Sequence, residues 1–169
     1  ETPNGSTALL AGEKVTLNLN YNQLISYTID SGTLNGLVEN NNAIVANNGQ
    51  VILSARGLDA VRKSVVNTDG IIEAKGINTE GGKIFLEGDE ITVKSNSTLS
   101  ASGDNGGGQI LVGGSWQNSD PTIYQATTTT IEEGATLNAS ANNTGNGGEI
   151  VVWSDITNDQ SVTKVQGKL

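Results

Sequence analysis

The sequence repeats a pair of short apolar strand patterns four times. In each copy, a stretch that ends in alanine runs into a turn rich in glycine or asparagine, and a second apolar stretch follows. The four alanines are Ala46, Ala74, Ala101 and Ala139, which lie 28, 27 and 38 residues apart. A repeat of this length is typical of solenoids, in which each unit buries its apolar face against its neighbours. The chain is therefore predicted to stack repeated units.

Each repeat has room for three short strands, which is the number in one coil of a three-faced parallel β-helix. Between Ala74 and Ala101, strand patterns occur at 83–86 and 90–94, and the next copy of the repeat supplies a third. Equivalent positions of neighbouring coils stack in columns. The predicted bulky inward column is Ile44, Ile72, Leu99 and Leu137, and the thin one is formed by the four alanines. Glycine and asparagine are expected at the corners, where tight bends need a positive φ.

One segment breaks the period of two that the rest of the chain follows. Within residues 57–65, Leu58, Val61 and Val65 recur at spacings of three and four. This spacing is typical of a helix with one apolar face. We predict a short helix inserted at a turn of an otherwise all-β fold. The whole chain, residues 1–169, is predicted to form a single β-helical segment.

The second strand of each copy also carries an apolar residue that points away from the core. Because side chains alternate along a strand, inward Val51 and Leu53 leave the residue between them outward. The same holds in all four copies, and the outward stripe is Ile52, Phe85, Leu111 and Val151. Contiguous apolar patches are seldom left bare. Either the predicted helix or the irregular excursion at 116–130 covers the stripe, or it forms an interaction surface for a partner.

The charge and the missing residue types exclude several functions. Nine Lys and Arg against eighteen Asp and Glu give a net charge of −9, which disfavours nucleic acid as a partner. The chain has no histidine and no cysteine, so classical catalytic triads and zinc sites are excluded. We predict no catalytic, cofactor-binding or metal-binding residues and no enzymatic activity. The acidic side chains near Glu87, Glu132 and Asp155 are expected to lie at corners of the coils and to face solvent.

Two carbohydrate-related alternatives remain. The first is a carbohydrate-active β-helix, either a polysaccharide lyase or a hydrolase, which would need acidic and basic residues converging on one outer face. The second is a glycan-binding groove in which Trp116, Tyr124 or Trp153 stands beside a polar strand face. A glycan array would separate binding from a scaffold role, and turnover of a polysaccharide would separate both from catalysis.

The chain is expected to be a piece of a longer, exported protein. No apolar run approaches the roughly 18 residues that a membrane span requires. The chain has no methionine, even at position 1, and a chain without cysteine crosses membranes without disulfide trapping.

An ordered set of segments resembles the large exoproteins of the two-partner secretion pathway. It is most similar to the filamentous-haemagglutinin family, particularly the branch of high-molecular-weight adhesins, and the similarity spans about residues 8–155. The segments that carry it are 37–40, 50–56, 64–67, 70–74, 99–103, 107–114 and 148–155. The resemblance implies a right-handed parallel β-helix that is secreted through an outer-membrane transporter of the two-partner type. It also implies a location outside a Gram-negative bacterium or on its cell surface, with a role in adhesion or display and contact with a host surface or glycan.

Two details determine which properties of the family are expected in this chain. The Asn-Pro signatures of the family's amino-terminal secretion domain are absent, so the segment is expected to lie just after that domain, and transporter recognition is expected in the missing part. Some members of the family are glycosylated at Asn-x-Ser/Thr sites. Here the candidate sites are Asn96, Asn138 and Asn142, and a further sequon lies at Asn4.

Overall fold

Three parallel sheets form the body of the protein. The computed structural model describes residues 1–19, 26–58 and 63–169. Sheet 1 contains β1 (Ser6–Ala11), β6 (Gln50–Ala55), β9 (Lys83–Glu87), β12 (Gln109–Val112) and β15 (Glu149–Val152). Sheet 2 contains β4 (Leu37–Asn40), β7 (Val65–Thr68), β10 (Glu90–Val93), β13 (Thr128–Ile131) and β16 (Val162–Val165). Sheet 3 contains β5 (Ala43–Val45), β8 (Ile71–Glu73), β11 (Thr98–Ser100) and β14 (Thr136–Asn138).

The chain visits sheets 2, 3 and 1 in turn, so three strands make one coil and the predicted parallel β-helix is confirmed. Each strand pairs in parallel with its counterpart in the next coil. The bulky column is in register as predicted, with Ile72 opposite both Ile44 and Leu99, and Leu99 opposite Leu137. Ile72 and Leu99 are fully buried, as are three of the four alanines that end the strands. The core is therefore one continuous stack of similar layers along the axis of the coils.

Glycine pairs at the corner before sheet 1 allow the coils to approach each other. A Cβ on Gly107, the first residue of one pair, would lie 1.8 Å from the carbonyl oxygen of Ala139 in the following coil. A Cβ on Gly108, the second residue, would lie 2.1 Å from the carbonyl oxygen of Gly82 in the preceding coil. Neither glycine has a positive φ, which is found instead at corner asparagines such as Asn48 and Asn78 and at other corner glycines such as Gly134. The corner asparagines thus behave as predicted, whereas these glycines are required by close contact between backbones.

The helix predicted at 57–65 has no helical residues in its described part. Gly57 forms a β-bridge with Thr33, and Val65 begins β7. Residues 59–62 lie outside the described residues. Val65 therefore pairs with strands of the neighbouring coils, and the helical spacing of the apolar residues in this segment does not determine its structure.

Two segments lie outside the coils and pack on the outer face of sheet 1. The first is an antiparallel hairpin of β2 (Lys14–Asn18) and β3 (Ser26–Ser31), a feature not predicted from the sequence. The second, called the cover loop here, comprises residues 115–125 between β12 and β13 and includes one 3₁₀ turn, Trp116–Asn118. Within the described ranges, no helix is long and apolar enough to span a membrane.

Candidate functional site

The outer face of sheet 1 carries two parallel columns of side chains that differ in chemistry. The polar column is Gln50, Lys83, Gln109 and Glu149, and the apolar column is the predicted stripe of Ile52, Phe85, Leu111 and Val151. Both columns follow from the alternation of side chains along each strand. In every strand one inward residue separates the residue of the polar column from the residue of the apolar column. Side chains of similar polarity are thus aligned along the axis of the coils.

The apolar stripe is covered by the protein itself. Ile52 is 1% exposed, Leu111 is 6% exposed and Val151 is 5% exposed, while Phe85 is half-buried. The β2–β3 hairpin approaches from one side with Ile29, and the cover loop approaches from the other with Trp116 and Ile123. The excursion proposed from the sequence therefore does provide cover. Most of the stripe is not an open surface, and only Phe85 remains within reach of a partner.

A buried carboxylate anchors the hairpin to the sheet. The hydroxyl of Tyr27 in β3 donates to Oε2 of Glu87 at 2.5 Å, and the hydroxyl of Ser54 donates to the same oxygen at 3.2 Å. Glu87 is 4% exposed although its position in β9 faces outward, because the hairpin lies above it. Burial raises the pKa of Glu87 above its ordinary value, and burial likewise raises the pKa of Tyr27. The two hydroxyl donors and the charge of Arg56 offset part of this effect on Glu87.

A second contact set anchors the cover loop. The guanidinium of Arg56 lies over the ring of Tyr124, with its central carbon 3.4 Å from the ring centroid. The hydroxyl of Tyr124 donates to Oδ1 of Asp89, whose other oxygen accepts from the backbone N–H and the hydroxyl of Ser64 at 2.7 and 2.8 Å. Burial lowers the pKa of Arg56 and raises the pKa of Tyr124. These residues hold the loop against the coils and are engaged with each other.

The acidic cluster around Glu87 is therefore structural rather than a solvated corner. Glu87 and Asp89 each hold an extra segment in place, and Glu90 pairs with Lys63 at 3.1 Å on the surface. In the part of the chain that the structure describes, no group of three or more acidic side chains has the arrangement of a metal site. No observation favours the lyase or hydrolase alternative.

Replacing Glu87 with glutamine should change how stability depends on pH. Because the pKa of Glu87 is raised on folding, the folded protein retains this proton where the unfolded chain has lost it. The contribution of Glu87 to stability is therefore present at low pH and falls as the pH rises above about 4, where the unfolded carboxyl titrates. The amide oxygen of the variant still accepts from Tyr27 and Ser54. The stability of Glu87→Gln relative to the native protein should increase between about pH 4 and pH 7, as measured by urea unfolding.

The matched control for this experiment is Glu133→Gln, which removes the same charge from an exposed corner. The increase in relative stability with pH should be larger for Glu87→Gln than for this control. If the two variants changed by the same amount over the range, the buried position of Glu87 would not be the cause, and the prediction would be contradicted.

The three aromatic residues proposed for glycan contact occupy different environments. Tyr124 is part of the anchor described above, so its hydroxyl and one ring face are engaged. Trp116 is 54% exposed and packs on Trp153, with ring centroids 4.9 Å apart. The turn after Trp153 is joined to the cover loop by a hydrogen bond of 2.7 Å from the side-chain N–H of Asn118 to Asp155. Hydrogen bonds from Thr157 lower the pKa of Asp155.

The candidate glycosylation sites are distributed over two successive coils, at or beside sheet 3. Asn96 and Asn142 are exposed, and Asn138 in β14 is half-buried. The side chain of Asn96 donates to Asp69 at 3.2 Å, and Oδ1 of Asn138 accepts from the backbone N–H of Ser140 at 2.9 Å. Modification at these asparagines stays a prediction.

The fold and this face together define a class of protein: a parallel β-helix with one outer face covered by a hairpin and a loop. Comparison with solved structures finds a similar fold in the crystal structure of the HMW1 secretion domain from Haemophilus influenzae. The two share 22% sequence identity with a TM-score of 0.59, over 99% of this chain and 57% of the other. No protein-family model matches the chain.

A curated protein provides a second similarity. A heme/hemopexin-binding protein of Haemophilus influenzae is 31% identical over 75 residues, which is 44% of this chain and 8% of that protein. The chain thus spans only a small part of that relative. Together the two similarities confirm the predicted resemblance to exoproteins of the two-partner secretion pathway, and neither relative is described as an enzyme. The matched structure is itself a secretion domain, and the position of this segment just after such a domain stays a prediction.

Proposed function

We propose that the chain is a β-helical segment of a two-partner secretion exoprotein, exported through an outer-membrane transporter and retained outside the cell or on its surface. In this role it forms part of the shaft of an adhesin and displays other regions of the protein. The observation that carries the secretion part of the proposal is the fold match with a secretion domain over 99% of the chain, and the shaft role rests on the stacked parallel coils. The net charge of −9 and the absence of cysteine are compatible with an extracellular, disulfide-free module.

Stacked coils suit export of an unfolded chain. Each coil pairs only with the coils before and after it, so an emerging chain is able to fold one coil at a time. Every added coil buries one more layer, such as Leu99 on Ile72. This stepwise burial opposes return through the pore and needs no nucleotide hydrolysis.

An export assay with two arms tests this function. The chain is expressed with a cleavable signal peptide in a Gram-negative host, either alone or fused after the HMW1 secretion domain, with and without the transporter of that domain. We expect the fusion in the medium only when the transporter is present. Export of the unfused chain would assign transporter recognition to this segment. Export of the fusion, but not of the unfused chain, would support a shaft segment that depends on a separate secretion domain. Retention of the fusion, while the secretion domain by itself is exported, would contradict the proposal.

A removable cross-link tests whether the chain crosses the membrane unfolded. Thr92 and Thr130 are directly opposite each other in β10 and β13 and face outward. Neighbouring strands are about 4.8 Å apart, which a disulfide can bridge. Because the native chain has no cysteine, Thr92→Cys/Thr130→Cys creates a single defined bond. Export of the fusion should be strongly reduced in the oxidised variant and restored by reductant, while Thr92→Cys alone should be exported normally.

A further inference from the structure

We propose that the polar column of sheet 1, together with Phe85 and the cover loop, forms a cleft that binds an uncharged oligosaccharide. This site goes beyond the proposed scaffold role and does not depend on export. It lies between the β2–β3 hairpin and the cover loop, on the outer face of the coils. One part of the cleft has a volume of about 640 Å³ and a second part about 380 Å³, and the two share Lys83, Phe85, Thr122 and Ile123.

The floor of the cleft presents hydrogen-bonding groups at regular intervals. Gln50, Lys83, Gln109 and Glu149 lie in register on consecutive strands, which are about 4.8 Å apart. The side-chain N–H of Gln109 donates to Glu149 at 2.6 Å, which orients the amide. Lys83 is exposed and has no ion-pair partner within the described ranges. The row therefore offers both donors and acceptors, as a chain of hydroxyl groups requires.

Apolar and aromatic groups line the side of this row. Phe85 is half-buried and contributes to both parts of the cleft, and exposed Trp116 borders the smaller part. Such rings provide an amphipathic surface on which the C–H groups of a sugar can pack while its hydroxyls reach the polar row. Arg56 also lines the larger part, where its guanidinium lies over the ring of Tyr124 and fixes the wall of the cleft.

The geometry and the charge favour an uncharged sugar over other extended ligands. At β6, β9 and β12 the floor is the face of a sheet whose strands are paired on both sides, so these three strands offer no free backbone edge to a peptide strand, and an edge is reached only at β15, the end of the row. A phosphate- or sulfate-bearing polymer would meet a protein with a net charge of −9 and the carboxylates of Glu149 and Asp120 at the cleft. A neutral oligosaccharide avoids both costs and uses the three groups of the row that reach the surface, Lys83, Gln109 and Glu149, since Gln50 is 4% exposed.

Intrinsic fluorescence provides a specific measurement of binding. The chain has two tryptophans, and both belong to the Trp116–Trp153 pair beside the cleft. The folded chain is titrated with four probes, cellotetraose, mannotetraose, chitotetraose and laminaritetraose, up to about 10 mM. We expect at least one probe to give a saturable change. Lys83→Ala and Gln109→Ala should each weaken its binding by about tenfold, since one hydrogen bond to a charged or amide group is lost.

Matched controls separate the site from general effects on folding. Lys164→Ala removes an exposed lysine from β16 in sheet 2, away from the cleft, and should leave binding unchanged. Circular dichroism verifies that each variant retains the β-sheet signal of the native chain. Three results would overturn the inference: no saturable change with any probe, equal weakening by Lys164→Ala, or binding that Lys83→Ala and Gln109→Ala both leave intact.

Discussion

Leu99→Ala should lower the free energy of unfolding by about 2–5 kcal/mol, the range for removing a fully buried leucine side chain. Leu99 is 0% exposed and lies between Ile72 and Leu137 in the bulky column. The coils above and below are fixed by backbone pairing, so they cannot move together to fill the space. A cavity would therefore remain in the stack. Urea unfolding followed by circular dichroism measures the effect.

The control for the core variant is Leu34→Ala, because Leu34 is 55% exposed. Its replacement should change the free energy of unfolding by no more than about 0.5 kcal/mol, as is usual at surface positions. Similar losses in the two variants would mean that the stacked column does not dominate the stability of the chain.

Gly107→Ala should destabilise the protein by about 3 kcal/mol or more, because a Cβ at this position would lie 1.8 Å from the carbonyl oxygen of Ala139 and 2.1 Å from the backbone nitrogen of Gly148. Both contacts are with backbone of the next coil, so no flexible side chain can turn away. The two coils must separate locally, which weakens the hydrogen bonds between them. Thermal and urea unfolding should show a lower midpoint.

The same corner one coil further on provides a matched control. Gly147 occupies the position equivalent to Gly107, since Gln109 and Glu149 are paired, but a Cβ there meets nothing within 4 Å. Gly147→Ala should therefore leave the free energy of unfolding almost unchanged. Equal effects of the two substitutions would show that loss of glycine flexibility, rather than contact between coils, determines the cost.

The strand repeat was predictable because it depends on local patterns. Alternation around Ile84 and Leu86 identifies which side chains face the core, and the recurrence of that pattern identifies which strands stack. The predicted registers of Ile44, Ile72, Leu99 and Leu137 were confirmed for this reason. The apolar outer column was predicted from the same alternation, whereas the polar column beside it was not.

The cover of the outer face was only partly predictable. The apolar stripe indicated that something covers sheet 1, and the aromatic excursion was one of the proposed covers. The hairpin was missed, because Val15 and Leu17 in β2 show the same alternation as a coil strand. Its attachment depends on Tyr27 and Glu87, which are 60 residues apart in the chain. A single tyrosine and a single glutamate at that separation give no recognisable pattern.

From the sequence alone, the period of the repeat, the inward columns and the class of fold were determined, because all three depend on side-chain alternation within a few residues. Only the tertiary structure decided the rest: that the glycine pairs serve contact between coils, that Glu87 and Asp89 anchor two covering segments, and that a cleft opens between those segments. These features depend on distances between residues far apart in the chain, which become fixed only when the coils stack.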